Sequence, residues 1–439
     1  MDKNIILDNI RTKLGIDSLN ALQKQTLEAP KGNIILISAT GSGKTLAFAT
    51  RMLSKIKKAH EKVQCVVIAP SRELVTQIAG VVRPIATGFK TVALYGGHNM
   101  LDEKNSLTPC PDIIIATPGR LLDHLQRGNI TIHNPSTLVL DEYDKSLELG
   151  FEGEMKRIVS RIGAPESIIL TSATKLDQLP PYLGLTKYEL IEAVDTANPR
   201  SRMDVIHVDS FQPDKLDTLT DLLRTFSPAS RTIVFVNHRE SAERVYKRLK
   251  EENIDAALYH GALDQNQRGN AIELLANGSV PVLVATDLAS RGLDIEQVDH
   301  VVHYHLPINE QTWTHRNGRT ARVDAEGEIY VITSDNDNVP PYITWDREYQ
   351  PPHTPQAPMQ SSFSTLYIDA GKKEKISRGD IVGFLIAHSG LNAGEIGRIS
   401  LNDHNALVAV PRTKVTDILN AIKSQKLKGK KIRISPLKP

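Results

Sequence analysis

The sequence predicts an α/β protein of two tandem parallel-sheet domains followed by a small α+β domain, and three observations carry that prediction. Short apolar runs alternate with helix-length stretches over residues 1–334, the rhythm of βαβ units whose sheet is covered on both faces. Two pieces of this region recur. Val67-Ile68-Ala69-Pro70-Ser71-Arg72-Glu73 parallels Val234-Phe235-Val236-Asn237-His238-Arg239-Glu240, and Ile114-Ile115-Ala116-Thr117 parallels Leu283-Val284-Ala285-Thr286, as expected of a duplicated domain. The tail differs in charge: residues 363–439 hold 14 Lys/Arg against 6 Asp/Glu, a charge of +8, whereas the whole 439-residue chain is +2 and residues 1–362 are therefore −6. A basic tail on a mildly acidic body points to a polyanion-binding module.

The first domain, 1–200, has expected strands at 34–38, 63–69, 91–95, 113–116, 137–140 and 167–170, with helical spacing over 46–56. The second, 201–349, has them at 205–209, 232–236, 256–259, 282–285, 300–303 and 328–332. Six prolines between 339 and 358 mark a spacer, 350–362, read as extended and semi-rigid at about 3 Å per residue. Tyr342, Ile343, Trp345 and Tyr349 just before it can pack back on the second domain. The third domain, 363–439, reads β-α-β-β-α-β: strands at 365–369, 396–401, 406–410 and 431–435, helices at 378–388 and 413–424. This is the ferredoxin-like plan of RNA-recognition motifs. Its third strand, Ala406-Leu407-Val408-Ala409-Val410, lacks base-stacking aromatics, while Tyr367 in the first can stack one base.

Composition narrows the function classes. At 40% apolar and 24% charged residues the chain has an ordinary globular make-up. No stretch has the length of a membrane span, and the start lacks a basic segment leading into an apolar core. Cys65 and Cys110 lie beside apolar runs, which fits buried free thiols in a reducing compartment and a cytoplasmic location.

The first chemical signal is at residues 34–45. Four apolar residues lead into Ser38-Ala39-Thr40-Gly41-Ser42-Gly43-Lys44-Thr45, and a helix follows. That is the strand, loop and helix order of a phosphate-binding loop. Gly41 and Gly43 let successive N–H groups of residues 40–43 converge on phosphate oxygens, and the helix N-terminus adds its positive end. Lys44 is placed for the β- and γ-phosphates of a nucleotide, Thr45 for Mg²⁺. Ser38 stands where the G-x-x-x-x-G-K-T pattern has its first glycine.

Val139-Leu140-Asp141-Glu142-Tyr143-Asp144 is a strand ending in three carboxylates. Asp141 suits a Mg²⁺ ligand, directly or through water, and Glu142 can orient and deprotonate an attacking water. Carboxylates at strand ends also cap helices; the company of Lys44 and Thr45 favours the chemical role. Ser172 and Thr174 can cap a helix or bond Asp144 and relay nucleotide state. In His315-Arg316-Asn317-Gly318-Arg319-Thr320-Ala321-Arg322 three arginines spaced by three are expected on one helix face. They form a solvated basic face or, opposite the P-loop that only the first copy carries, arginine fingers on a γ-phosphate. One nucleotide at the interface between the copies follows from that asymmetry.

Over residues 1 to about 335 the chain resembles the DEAD-box ATP-dependent RNA helicases. The motifs come in family order: Pro70-Ser71-Arg72-Glu73-Leu74, Gly96-Gly97, Thr117-Pro118-Gly119-Arg120, the acidic box, Ser172-Ala173-Thr174, Gln265-x-x-Arg268, Ala285-Thr286-Asp287, Arg291-Gly292-Leu293-Asp294 and the 315–322 block. The tail resembles the RNA-binding domain of the DbpA/YxiN group, whose members recognise ribosomal RNA, in Thr365-Leu366-Tyr367-Ile368-Asp369, Arg378-Gly379-Asp380-Ile381 and Lys428-Gly429-Lys430.

The resemblance implies two RecA-like domains and an RRM-like domain. It implies a helicase and RNA-stimulated ATPase that uses ATP and Mg²⁺ to unwind or remodel structured ribosomal RNA in ribosome biogenesis, with no membrane attachment and no obligate protein partner. An ATP-gated RNA clamp would use the same residues. The resemblance assigns catalysis to Lys44, Asp141, Glu142, Arg319 and Arg322, adenine reading to Gln23, and the ribose to Asp294 with Gly292 beside it. Pro70, Arg72, Gly97, Thr117, Arg120, Gln265, Arg268 and Thr286 would grip the RNA backbone, and Asp144, Ser172, Thr174 and His315 would couple the two activities. Four features depart from the family. Leu19-Asn20-Ala21-Leu22-Gln23 lacks the usual Pro-Thr pair, Ile6 lies at about the place of a base-stacking aromatic, Tyr143 replaces an alanine, and Asn317 and Ala321 alter the last motif.

Overall fold

A run of four aliphatic residues can bury both of its faces only as a strand inside a covered sheet. In the computed structural model, which describes residues 1–437 apart from 31, 39–41, 58–61, 98–99, 174–177, 193–202, 290–297, 321–326 and 354–357, those runs do so. The described residues up to 192 form one compact unit and those from 203 onward a second.

The first unit holds strands β1 (Asn33–Ile37), β2 (Cys65–Ile68), β3 (Thr91–Leu94), β4 (Ile113–Ala116), β5 (Thr137–Leu140), β6 (Ile168–Ser172) and β7 (Tyr188–Glu192). All pair in parallel, in the order β3-β4-β2-β5-β6-β1-β7. Alternation along each strand divides the core in two: Ile34, Leu36, Val67, Ile115, Val139 and Ile169 pack on one face, and Ile35, Val66, Ile68, Ile114, Leu138 and Leu170 on the other. Each such side chain contributes roughly 1.5–3 kcal/mol by leaving water.

The second unit repeats the plan with β8 (Met203–Ser210), β9 (Thr232–Phe235), β10 (Ala256–Tyr259), β11 (Val282–Ala285), β12 (His300–His303), β13 (Gly327–Ser334) and β14 (Arg347–Glu348), ordered β10-β11-β9-β12-β13-β8-β14. This is the first sheet's order with every strand advanced by seven. Even the bonds at the strand ends recur. The Ala69 N–H donates to Ala116 O and the Thr117 N–H to Leu94 O, both at 3.0 Å; the Val236 N–H donates to Ala285 O at 3.0 Å and the Thr286 N–H to Tyr259 O at 3.2 Å. The duplication read from the two repeated stretches therefore extends to the whole sheet. β7 and β14 were not foreseen, because Tyr188–Glu192 is largely exposed with glutamates at 189 and 192 and Arg347–Glu348 is two charged residues long.

The third sheet, β15 (Phe363–Ile368), β16 (Ile399–Leu401), β17 (Ala406–Pro411) and β18 (Ile434–Pro436), is antiparallel in the order β16-β17-β15-β18. Leu366, Ile368, Val408 and Val410 turn one face to Ile381, Leu385 and Ile418 of helices Arg378–Ser389 and Val415–Ile422. The expected second helix is shorter than its pattern because Arg412–Lys414 forms a separate tight turn. The opposite face is not open. Thr365 is fully buried, and its hydroxyl lies 2.8 Å from both Asn277 Nδ2 and Ser279 Oγ, just past helix Gln265–Ala276. Arg412 bonds Asp255, and Ser400 bonds Glu273 of that helix. Tyr367, expected to stack a base, shares a strand face with the docked Thr365.

The 350–362 spacer is tied to the second sheet at its far end. Met359 is buried in the second sheet's core, its carbonyl accepts the Asp255 N–H at 2.9 Å, and Ser361 bonds Gly278 O. The aromatic stretch before it does pack back: Trp345 stacks on His207 with centroids 4.2 Å apart, and the Tyr342 hydroxyl donates to Pro307 O at 2.9 Å. Cys65 is buried, its thiol pushed up to about 12 by burial, whereas Cys110 is only half-buried. Among the described residues no helix is long and apolar enough to cross a membrane.

The double change Asp255→Ala, Glu273→Ala removes the carboxylates that hold Arg412 and Ser400. At about 1–2 kcal/mol per charge-assisted bond, the third domain should detach from the second sheet. Fluorophores on exposed Lys247 and Lys423 should then give a broadened distance distribution; an unchanged distribution would mean that the remaining contacts, those of Thr365 with Asn277 and Ser279 among them, hold the domain.

Candidate functional site

Parallel strands send every strand-to-helix turn to the same sheet edge, and there the predicted residues gather. In the first unit the neighbours β5, β6 and β1 end at Leu140, Ser172 and Ile37, where the acidic box, the 172–174 turn and the P-loop begin. The neighbours β3, β4 and β2 end just before Gly97, Thr117 with Arg120, and Pro70 with Arg72. The edge therefore groups the residues expected to hold a nucleotide on one half and those expected to grip RNA on the other, the nucleotide and RNA halves below. They meet where the Asp141 N–H, after β5, donates to Ile68 O of β2 at 2.8 Å.

On the nucleotide half, Gly43 caps helix Lys44–Lys55 at φ +88°, a conformation costly for any residue with a Cβ. Two side chains brace the loop from behind. The Asn20 and Gln23 amides form a reciprocal cap on helix Ala21–Glu28, each accepting the other's N–H at 2.9 Å. Asn20 Nδ2 then donates to Ser42 O at 3.0 Å and Gln23 Nε2 to Gly43 O at 3.3 Å. In place of the missing Pro-Thr pair, Asn20 thus bonds the P-loop itself. Ile6 is fully buried in the core and has no face for a base to stack on. Lys44 Nζ bonds Ser38 O, and Thr45 lies half-buried in the first turn of the helix.

Asp141 is buried, and its Oδ1 accepts the Thr171 hydroxyl at 2.5 Å. That same hydroxyl oxygen accepts the Glu142 N–H at 3.0 Å, with Glu142 in the left-handed region at φ 45°, ψ 55°. Thr171, which with Ser172 closes the otherwise aliphatic β6, therefore fixes both acidic residues; its only signal in the sequence is a polar residue in a buried strand. Burial holds the Asp141 carboxyl above the usual carboxylate range, against the pull of the Thr171 hydroxyl and the Lys44 ammonium. Asp144 accepts the Lys145 N–H at 3.0 Å and, through Oδ2, the Ala173 N–H at 3.2 Å, so a backbone donor also links the acidic box to the 172–174 turn that ends β6 at buried Ser172. Tyr143 is buried in the core, with its hydroxyl 2.8 Å from that of Tyr182. The phenol that stands for an alanine thus has both a pocket and a partner.

These residues fit a magnesium nucleotide. The Ser38 and Ser42 hydroxyls are buried without a hydrogen-bond partner among the described residues, and phosphate oxygens would accept from them. A cation next to Asp141 would relieve a carboxylate that burial disfavours.

On the RNA half, Pro70 is buried after β2, and Arg72 opens helix Arg72–Ile85, capped by the Ser71 hydroxyl accepting the Leu74 N–H at 3.1 Å. Its guanidinium packs under Gly96 and Gly97: a Cβ on Gly97, at φ +100°, would sit 2.8 Å from Arg72 Nη1. Thr117 caps helix Pro118–Gln126, which carries Arg120. In the second unit Asp264 caps helix Gln265–Ala276, Arg268 Nη2 donates to Gln265 Oε1 at 2.7 Å, and Thr286 follows β11 as Thr117 follows β4.

The arginine block differs from its expected form. Helix Glu310–Asn317 ends just before Gly318, so buried His315 and Arg316 are helical, Arg319 lies beyond the end, and Arg316 and Arg319 do not share a helix face. The Thr320 hydroxyl turns the chain back by donating to Val298 O at 2.7 Å. Arg316 is fully buried and structural: Nε donates to Asp287 Oδ1 at 2.6 Å, Nη1 to His305 O at 2.7 Å and Nη2 to Asn237 Oδ1 at 2.7 Å. Arg319 is also buried, at 1% exposure. Burial and the Arg316 charge push His303 down to about 3. As a neutral ring it donates from Nε2 to Asn317 Oδ1 at 2.8 Å, which accounts for Asn317 within the motif. Thr40, Gly41, Thr174, Gly292, Asp294 and Arg322 lie outside the described residues.

Comparison with known proteins agrees with this layout. The DEAD/DEAH box helicase family model matches residues 20–179, the helicase conserved C-terminal domain 214–324, and the DbpA RNA binding domain 365–436. The ATP-dependent RNA helicase DbpA of Escherichia coli is 32% identical over 97% of this chain and 96% of its own, and DbpA of Bacillus subtilis 26% identical over 96% and 95%. The structure of Saccharomyces cerevisiae Dbp5 bound to RNA and ADP BeF3 superimposes with a TM-score of 0.66 at 27% identity, covering 76% of this chain and 88% of that one. With two duplicated parallel sheets, a P-loop and acidic box on one edge of the first, and a small RNA-binding domain after the second, the chain belongs to the DEAD-box ATP-dependent RNA helicases, which are RNA-stimulated ATPases.

Proposed function

We propose that the chain couples ATP hydrolysis to local strand separation in structured ribosomal RNA during ribosome assembly in the cytoplasm. The observation that carries this reading is the continuous edge on which the Asp141 N–H joins the nucleotide half to Ile68 of the RNA half. That bond ties the turn after β5 to the end of β2, four residues before Arg72.

In this reading Lys44 leaves Ser38 O for the β- and γ-phosphates, Ser38 and residues 40–43 donate to phosphate oxygens, and Gln23 and Asp294 hold the adenine and ribose. Mg²⁺, when bound between Thr45 and Asp141, would neutralise phosphate charge. Glu142, held in its left-handed conformation by Thr171, orients a water and takes its proton. Arg319 and Arg322 of the second unit neutralise the charge that develops in transfer, which requires Arg319 to leave its buried position. Pro70, Arg72, Gly97, Thr117 and Arg120, with Gln265, Arg268 and Thr286, hold the sugar-phosphate backbone, contacts that carry no sequence information. Bending the held strand removes it from A-form geometry, so neighbouring base pairs open. Asp144, Ser172, Thr174 and His315 transmit the state of one half to the other. The +8 third domain tethers the motor to its RNA.

Glu142→Gln should keep ATP and RNA affinity while hydrolysis falls by about 10³-fold or more, by analogy with the loss of other transfer groups; near-wild-type turnover would remove Glu142 from its role. Deleting residues 363–439 should weaken binding to a ribosomal RNA fragment and flatten the dependence of log K on log salt. In a strand-displacement assay ATP should release the short strand of a duplex carried by that fragment. Hydrolysis and tight RNA retention with no displaced strand would instead identify a clamp.

A further inference from the structure

Glu103 is a buried acid that the proposed reaction does not use. It lies in helix Met100–Ser106, between the Gly96 and Gly97 turn and the helix that carries Arg120, and is 6% exposed. A carboxylate so far out of water costs several kcal/mol unless donors surround it. Three do: Oε2 accepts from Arg120 Nε at 2.5 Å and from His124 Nε2 at 2.8 Å, and Oε1 accepts the Tyr95 N–H at 3.3 Å. His124 is fully buried, and Asn129 Nδ2 donates to its Nδ1 at 3.2 Å. The same nitrogen lies 4.0 Å from Met100 Sδ, an acceptor, which sets the orientation of the amide. The Arg120 guanidinium sets a fixed positive charge against Glu103. Burial alone would push Glu103 upward; the bonds from His124 and Arg120 outweigh it and hold the carboxyl below the usual range.

The donors belong to two different stretches. Tyr95 is the last residue before Gly96 and Gly97, which follow β3, while Arg120 and His124 belong to the helix that follows β4. Bonding at Nε fixes the plane of a guanidinium whose four remaining N–H groups lie on its terminal nitrogens.

We propose that Glu103 is a positioning residue for RNA, setting the Arg120 guanidinium and locking it to the Gly96–Gly97 turn so that the two stretches meet the RNA backbone as one preformed surface. The inference rests on the proposed RNA contact of Arg120. Without Glu103 that side chain must be ordered at each binding event, a cost of the size that immobilising one flexible side chain brings, about tenfold in affinity.

The test is RNA-stimulated ATP hydrolysis by the full chain carrying Glu103→Gln, Arg120→Ala or both. A Gln side chain offers one acceptor oxygen in place of two and cannot hold all three donors. Glu103→Gln should raise the KM for RNA about tenfold and leave the KM for ATP within about twofold, an amount worth under 1 kcal/mol. In the Arg120→Ala background it should add nothing. A wild-type KM for RNA in Glu103→Gln, or single effects that multiply in full in the double variant, would overturn the proposal. Arg120→Lys, in a chain whose Glu103 is intact, keeps the charge but lacks Nε; it should raise the KM for RNA severalfold, and a wild-type value there would also overturn the proposal, whether or not Glu103→Gln folds. An unchanged KM for RNA in Arg120→Ala would instead strike at the RNA contact itself, so the two failures are separable.

Discussion

Two parallel strands can be neighbours only if the chain crosses back between them, so all their outgoing turns open on one edge. The rest of the molecule follows from that constraint. It brings six loops of the first unit, far apart in sequence, onto a single line. Because the strand order is fixed, it also sorts them, with the turns after β5, β6 and β1 on one side and those after β3, β4 and β2 on the other. The second unit carries the same order and the same sorting. Duplication of the sheet thus duplicates the edge, and the copies differ in what their loops hold: a P-loop and acidic box in one, a buried arginine network in the other.

The groups on that edge are held by unequal means. Asp141 and Glu142 depend on one hydroxyl, Thr171, which gives its proton to the carboxylate and its lone pair to a strained backbone. Arg316 is fixed by three acceptors from three separate strands or turns, with His303 and Asn317 completing the set. The third domain is fixed differently again, by laying one face of its sheet on the end of the helix that begins at Gln265 and Arg268. One rigid helix therefore carries proposed RNA-gripping groups at its first turn and the RNA-binding domain at its last.

Much of this was legible in the sequence, and the reasons are local. Buried parallel strands are short apolar runs, some bounded by Thr, Tyr or His, so 113–116, 137–140, 256–259, 282–285 and 300–303 could be placed to the residue. The two repeated stretches revealed the duplication because they sit at the strand ends, where matching turns need matching residues. Edge strands β7 and β14 escaped because their burial is slight and charged residues interrupt the one and make up the other. The arginine spacing misled: a period of three is as compatible with a helix end as with a helix face, and Gly318 ends the helix. Thr171, Tyr182, Asn237 and Glu103 act through contacts across 29, 39, 79 and 17 residues respectively, which no local pattern encodes.

The central claim is that the nucleotide and RNA halves of the edge are energetically one site. Its most direct measurement is the Kd of the intact chain for a ribosomal RNA fragment at fixed salt, with and without a saturating non-hydrolysable ATP analogue. The account requires at least tenfold tighter RNA binding with the analogue present, a coupling of about 1.4 kcal/mol, and by linkage the same factor on analogue affinity when RNA is added. Equal Kd values under the two conditions would contradict it.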